Sequence, residues 1–146
     1  DIENLISELK IETSVKFLGI LEHKNFIQEC YNNHIMLAPS QTDKITKETE
    51  GGAPTVLIEA QSTGMPIIAT KHADIPEIVI NQRSGILVDE GDVNGICDAI
   101  IRLIESPGLI KRMGAYGREH VLNQHNIVIV NKRLENLYDR AIKLNS

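Results

Sequence analysis

The residues best placed to do chemistry are two glutamates, Glu50 and Glu59, in the run Glu50-Gly51-Gly52-Ala53-Pro54-Thr55-Val56-Leu57-Ile58-Glu59-Ala60. A carboxylate is a good acceptor for sugar hydroxyls. Gly51 and Gly52 allow backbone to approach a ligand closely. Pro54 opens a helix whose first amides, around Thr55 and Val56, have no intrahelical partner. Those amides and the helix dipole favour an anion such as a phosphate. Glu50 precedes the helix and Glu59 lies about a turn and a half inside it, so both can face one cleft. Spacing alone leaves two readings open. One is a site for a phosphorylated sugar compound; the other is a solvated loop glutamate beside an exposed helix glutamate.

Other polar residues carry less. Lys71 and His72 follow a predicted strand end at Thr70, which puts them at the rim of the same cleft. They read either as phosphate and substrate contacts or as ordinary loop residues. Glu77 caps or supports its loop, and His120 and His125 read as surface residues on amphipathic helices. Lys111, Arg112 and Arg118 form a solvated helix face. No Ser/His/Asp set, metal cluster, GxGxxG or P-loop is readable, so dinucleotide and ATP readings lose support.

The elements that must hold these residues follow from periodicity. Helices are predicted over Ile2 to Leu9, Asn25 to Asn32 and Pro54 to Thr63. Short strands are predicted over Ser14 to Leu18, Ile35 to Ala38, Pro66 to Thr70 and Gly85 to Val88. Three more helices follow. The first carries the stripe Ile96, Ala99, Ile100, Leu103, Ile104, the second runs from Pro107 towards Val121, and the last from about Asn126 to Leu144. Inward faces are expected at Phe26, Ile27, Cys30 and Tyr31, and at Val130, Leu134, Leu137, Tyr138 and Ala141. Strands alternating with helices make an α/β fold with a mostly parallel sheet covered on both faces. Ligands of such folds sit at the carboxyl ends of the strands, here the loops after Leu18, Ala38 and Thr70. The irregular stretch Gln41 to Ala53, about 13 residues, leads from such a strand into a helix N-terminus, which favours a functional loop.

Composition narrows the class. The 146 residues suit one domain, and a 42% apolar content supplies a core, while only 3% aromatic content makes that core aliphatic. A net charge of -5 argues against a broad nucleic-acid surface. Cys30 and Cys97 belong to no CxxC or Cys/His cluster and read as reduced core thiols, which points to the cytoplasm. No apolar run is long enough to span a bilayer, and the start Asp1-Ile2-Glu3-Asn4 lacks the basic residues of a signal peptide.

Taken in order, several segments resemble the carboxyl-terminal, nucleotide-binding half of retaining group 1 glycosyltransferases (family 4, GT-B fold). They are Val15-Lys16-Phe17-Leu18-Gly19, Ile35-Met36-Leu37-Ala38-Pro39-Ser40, the two-glutamate run, Gly64-Met65-Pro66-Ile67-Ile68-Ala69-Thr70, Ile75-Pro76-Glu77-Ile78-Val79, Gly85-Ile86-Leu87-Val88, Gly91-Asp92 and the Met113-Gly114 helix. The resemblance implies a three-layer, Rossmann-like sheet and a single, partial donor-binding domain spanning residues 1–146. It implies that Glu50 contacts the donor sugar as the catalytic glutamate, and that Glu59 holds the ribose. Gly51, Gly52 and Pro54 shape the turn, and the amides of Thr55 and Val56 receive the distal phosphate. The loop with Gly19, Ile20 and Leu21 flanks the base, and Ser40 lines the cleft floor. The donor is a nucleoside-diphosphate sugar and the acceptor a glycan or lipid-linked sugar. No metal or further cofactor is implied. The setting implied is bacterial surface polysaccharide synthesis, in the cytoplasm or peripherally at the inner membrane face.

Two departures from the family pattern stand out. The paired glutamates usually enclose seven residues, whereas Glu50 and Glu59 enclose eight, positions 51 to 58. Pro54 is in register with Glu59, so the extra residue falls in Gly51-Gly52-Ala53; Glu50 is then the displaced member and Glu48 a substitute for it. Second, the family's strand bearing an Arg and a Lys for the diphosphate has no counterpart here, nor has the amino-terminal acceptor domain. The chain is therefore expected to be a fragment, inactive alone, with exposed strand edges that favour self-association. Two other readings are a non-catalytic interaction module and a sugar-nucleotide epimerase of the same fold.

Overall fold

The computed structural model describes residues 2–49, 52 and 54–144. Glu50, Gly51 and Ala53 lie outside the described residues. The chain runs α1 (Ile2–Leu9), α2 (His23–Asn32), β1 (Met36–Ala38), α3 (Thr55–Ser62), β2 (Ile67–Thr70), α4 (Ile75–Ile78), β3 (Gly85–Val88), α5 (Val93–Glu105), α6 (Pro107–Gln124) and α7 (Ile127–Leu144). The three strands form one parallel sheet in the order β1-β2-β3.

Every residue of β2 and β3 is buried, as expected where helices cover both faces of a parallel sheet. Successive side chains point to opposite faces. Ile67, Ala69 and Leu87 pack with Cys30, Leu57, Ala60, Ile75 and Val79. Ile68, Ile86 and Val88 pack with Ala99, Leu103 and Met113. These two clusters separate three layers: α2, α3 and α4 on one side, the sheet, and α5 and α6 on the other. Helix α5 is started by Asp92, whose carboxylate accepts the Gly95 amide at 2.9 Å, a cap of about 1 kcal/mol. Helix α6 passes so close to the end of α3 that a Cβ on Gly114 would collide with the Gly64 carbonyl. Only glycine permits that approach.

The register matters for function. Ala38 pairs with Ala69, and Thr70 with Val88, so the loops after all three strands leave from one edge of the sheet.

Several expectations need correction. The segment Ser14 to Leu18 is not a strand: a 3-10 turn over Glu12–Ser14 gives way to extended Val15 (φ −119°, ψ 130°). Extended backbone joins a sheet only through a ladder partner, and it has none among the described residues. Pro54 caps α3 in an extended conformation (φ −62°, ψ 126°) and the helix starts at Thr55. The short helix α4 was not foreseen; its Ile75 and Ile78 are buried. Tyr31 is exposed, and Cys97 is a free, exposed thiol rather than a core one, whereas Cys30 is free and buried. Helix α7 forms as predicted, but Val130, Leu134, Leu137, Tyr138 and Ala141 are exposed. No helix among the described residues is long and apolar enough to cross a membrane.

Candidate functional site

Glu59 sits on the second turn of α3, and its carboxylate reaches His23 Nε2, on the first turn of α2, at 3.3 Å. Around this pair lies a cleft of about 390 Å³ lined by Gly19, Leu21, His23, Phe26, Val56 and Glu59. Gly19 has φ +64°, a left-handed conformation that turns the chain into the cleft wall. Four residues singled out from the sequence therefore meet in one cleft although 40 positions separate Gly19 from Glu59. Ile20, between the two lining residues, is fully exposed. Pro54 is half-buried and Thr55 exposed at the start of α3, beside Val56 of the cleft. Gly52, at φ +42°, lies near Asp74: a Cβ there would stand 4.0 Å from Oδ2.

A second group gathers at the carboxyl edge of the sheet. The Thr70 hydroxyl donates to the Ser40 carbonyl, tying the loop after β1 to the end of β2. His72 is buried, and its Nδ1 lies 2.7 Å from Glu90 Oε1. Glu90 Oε2 accepts the Thr42 amide at 2.8 Å. These two interactions, the Thr42 amide first, hold the Glu90 carboxyl below the usual range. Lys71 is exposed and pairs with Asp89 at 2.8 Å. Beyond Thr42, Asp43 accepts the amides of Ile45 and Thr46, each at 2.7 Å, which lowers its own carboxyl pKa. A cleft of about 380 Å³ lies here, lined by Gln41, Thr42, Asp43, Lys44, Lys47, Glu90 and Gly91.

The structure thus divides the candidate residues. Gly19, Leu21, Val56 and Glu59 come together, and Ser40, Lys71 and His72 belong to the neighbouring edge network. Glu50 and Gly51 lie outside the described residues. Glu48 turns its carboxylate onto the Thr46 hydroxyl at 3.4 Å and lines neither cleft. His72 is not at a rim but inside, because it is tucked between the loops that follow β2 and β3. His120 and His125 are likewise half-buried, with ring centroids 5.6 Å apart. Sequence reasoning missed His23, Phe26, Thr42 and Glu90. Glu90 had a signal: it follows β3 by two residues, at the same sheet edge that drew attention to the loops after Ala38 and Thr70. His23 had none, since only folding brings α2 beside α3.

A parallel sheet between two layers of helices makes this an α/β fold built as in GT-B glycosyltransferases. Residues 1–120 match the family model for glycosyl transferases group 1, and the chain belongs to that family. It is 33% identical over 127 residues to a GDP-mannose-dependent phosphatidylinositol monomannoside mannosyltransferase of Corynebacterium glutamicum, covering 87% of this chain and 33% of that protein. It is 30% identical to the capsular polysaccharide glycosyltransferase CapM of Staphylococcus aureus, covering 97% of this chain and 43% of that one. Among solved structures, sucrose-phosphate synthase from Thermosynechococcus elongatus aligns at TM-score 0.81 and 26% identity, over 98% of this chain and 34% of that one. Anabaena HepE in complex with UDP shares the fold at TM-score 0.78 and 19% identity, over 95% of this chain and 36% of that one. The chain thus spans about a third of the length of most of these proteins.

Proposed function

We propose that this chain is the donor-binding half of a retaining glycosyltransferase. The reaction moves a sugar from a nucleoside-diphosphate sugar to a glycan or lipid-linked acceptor in bacterial surface polysaccharide synthesis. The observation that carries this reading is the meeting of Glu59 with Gly19, Leu21 and Val56 around one cleft. A carboxylate offers about four acceptor positions, so Glu59 can take two ribose hydroxyls while it still meets His23. The apolar side chains of Leu21 and Phe26 suit the face of a base. The amides at Thr55 and Val56, at the positive end of α3, suit the distal phosphate of the leaving diphosphate. Glu50 is assigned the donor-sugar hydroxyls. Charge that develops on the diphosphate as the sugar becomes oxocarbenium-like is then met by fixed dipoles, with no metal or further cofactor in the scheme.

A related protein that uses GDP-mannose and a fold neighbour that holds UDP support the donor class. The capsular and colanic acid relatives support the polysaccharide setting. Two free thiols fit a reducing cytoplasm, and peripheral attachment at the inner membrane face would bring a lipid-linked acceptor within reach.

In the transferase that carries this chain, Glu59→Gln removes a charged acceptor worth about 1.5–3 kcal/mol, so turnover should fall about 10- to 150-fold. Steady-state kinetics with the donor varied measures it, and wild-type rates would remove Glu59 from the site. The 146-residue chain alone should bind UDP or GDP only weakly by calorimetry, since among the described residues lining this cleft no Lys or Arg faces a diphosphate.

A further inference from the structure

The loop after β1 is held at its base from two directions. Ser40 receives the Thr70 hydroxyl, and two residues later Thr42 is gripped by Glu90 through its amide at 2.8 Å and its hydroxyl at 3.4 Å. Glu90 is in turn held by His72 at 2.7 Å. The His72 side chain is 2% exposed and lines neither the Glu59 cleft nor the cleft at Thr42. An ionised carboxylate only accepts, so the bridging proton belongs to His72 Nδ1. Nε2 is buried with no hydrogen-bond partner among the described residues. The ring is therefore committed to one task, which is to aim Glu90 at Thr42.

Thr42 matters because it stands at the base of the loop that leads from β1 to α3, whose sequence contains Glu50. The chain turns at Asp43, lies near Asp74 at Gly52 and enters α3, which carries Glu59. A rotation at Thr42 therefore moves the start of that loop. Glu90 belongs to the loop after β3 and His72 to the loop after β2. The start of the loop is thus tied to the carboxyl ends of β2 and β3.

We propose that His72 is a positioning residue for sugar transfer: by orienting Glu90 it fixes Thr42 and with it the base of the loop in whose sequence Glu50 lies. This role rests on the donor-site reading above. It touches neither base nor ribose, so it separates nucleotide binding from turnover.

The test compares His72→Ala, His72→Asn and Glu90→Ala in the transferase that carries this chain. The Asn carboxamide nitrogen can stand where Nδ1 stood, so it restores the donor. Expected for His72→Ala is a fall in kcat of about 10–100-fold with the Kd for UDP or GDP unchanged within about 2-fold. His72→Asn should recover to within about 3-fold of wild type. Because His72 is buried, Glu90→Ala is the second route: its side chain is 31% exposed, and its kcat should fall as for His72→Ala. Amide exchange at Thr42, followed in the 146-residue chain, should quicken about 10-fold or more in both alanine variants and not in His72→Asn. Wild-type turnover in His72→Ala overturns the proposal, as does a loss that Asn fails to rescue or one matched by lost nucleotide affinity. Failure of the donor-site reading has a different signature, wild-type turnover in Glu59→Gln, so the two outcomes are told apart by different variants.

Discussion

Helices α5 and α7 carry apolar stripes of the same kind, yet they end differently. In α5 the stripe buries Ala99 and Leu103 against Ile68, Ile86, Val88 and Met113. In α7 no residue is buried, and Leu134, Leu137 and Tyr138 are all exposed. Helix α1 behaves like α7, with Ile2, Leu5 and Leu9 exposed and only Ile6 buried. The difference teaches that an apolar stripe specifies which face of a helix wants cover, while the fold decides whether cover is there. Contiguous uncovered apolar surface of this kind marks an interaction face.

The sharpest way to break the comparison is a matched pair of truncations. Leu103→Ala empties a fully buried position and should cost about 2–5 kcal/mol, whereas Leu134→Ala should change stability by less than about 0.5 kcal/mol. Urea unfolding of the chain measures both. Similar losses in the two would mean that α7 is covered in solution. A smaller effect tests the tightest helix contact in the covered region: Gly114→Ala should cost about 1–3 kcal/mol, because the added methyl meets the Gly64 carbonyl, which is backbone and cannot swing aside. A neutral Gly114→Ala would show that α6 is free to slide on α3.

The smallest expected effect concerns a third region, the loop around Asp43, which is ordered by polar contacts rather than by burial. The Asp43 carboxyl is depressed by the amides of Thr46 and Ile45. A depressed carboxyl stabilises the folded loop above the unfolded value of about 4, and that contribution is lost as the pH falls through the lower folded value. The amide shifts of Ile45 and Thr46 should therefore titrate together below about pH 4 while those of α5 stay still. If they do not titrate, the turn is held by something other than Asp43.

Much of the architecture was legible because local chemistry dictates it. Pro107 and the run to Val121 marked α6, and the apolar runs Ile67–Thr70 and Gly85–Val88 marked buried parallel strands. The site was legible in part. The glutamate at 59 and the glycine at 19 were readable as residue types in a cleft-forming context, and they do share a cleft. The partner of Glu59 was not readable, because His23 comes from a helix 36 positions earlier whose docking depends on Cys30 and Phe26 packing against the core. His72 was misread for the same reason. Its neighbour Lys71 is solvated, and nothing local says that one of two adjacent polar side chains turns inward to a carboxylate 18 residues ahead.

By itself, the order of residues determined the longer helices, strands β2 and β3 and the parallel sheet. These follow from periodicity, from Pro and Gly placement and from backbone chemistry within a few residues. Only the tertiary structure decided which apolar faces are covered and that the segment 14–18 remains outside the sheet. It also decided that Thr42, His72 and Glu90 form one network. Each of these depends on groups far apart in the chain, and burial and ladder pairing are properties of the partner as much as of the residue.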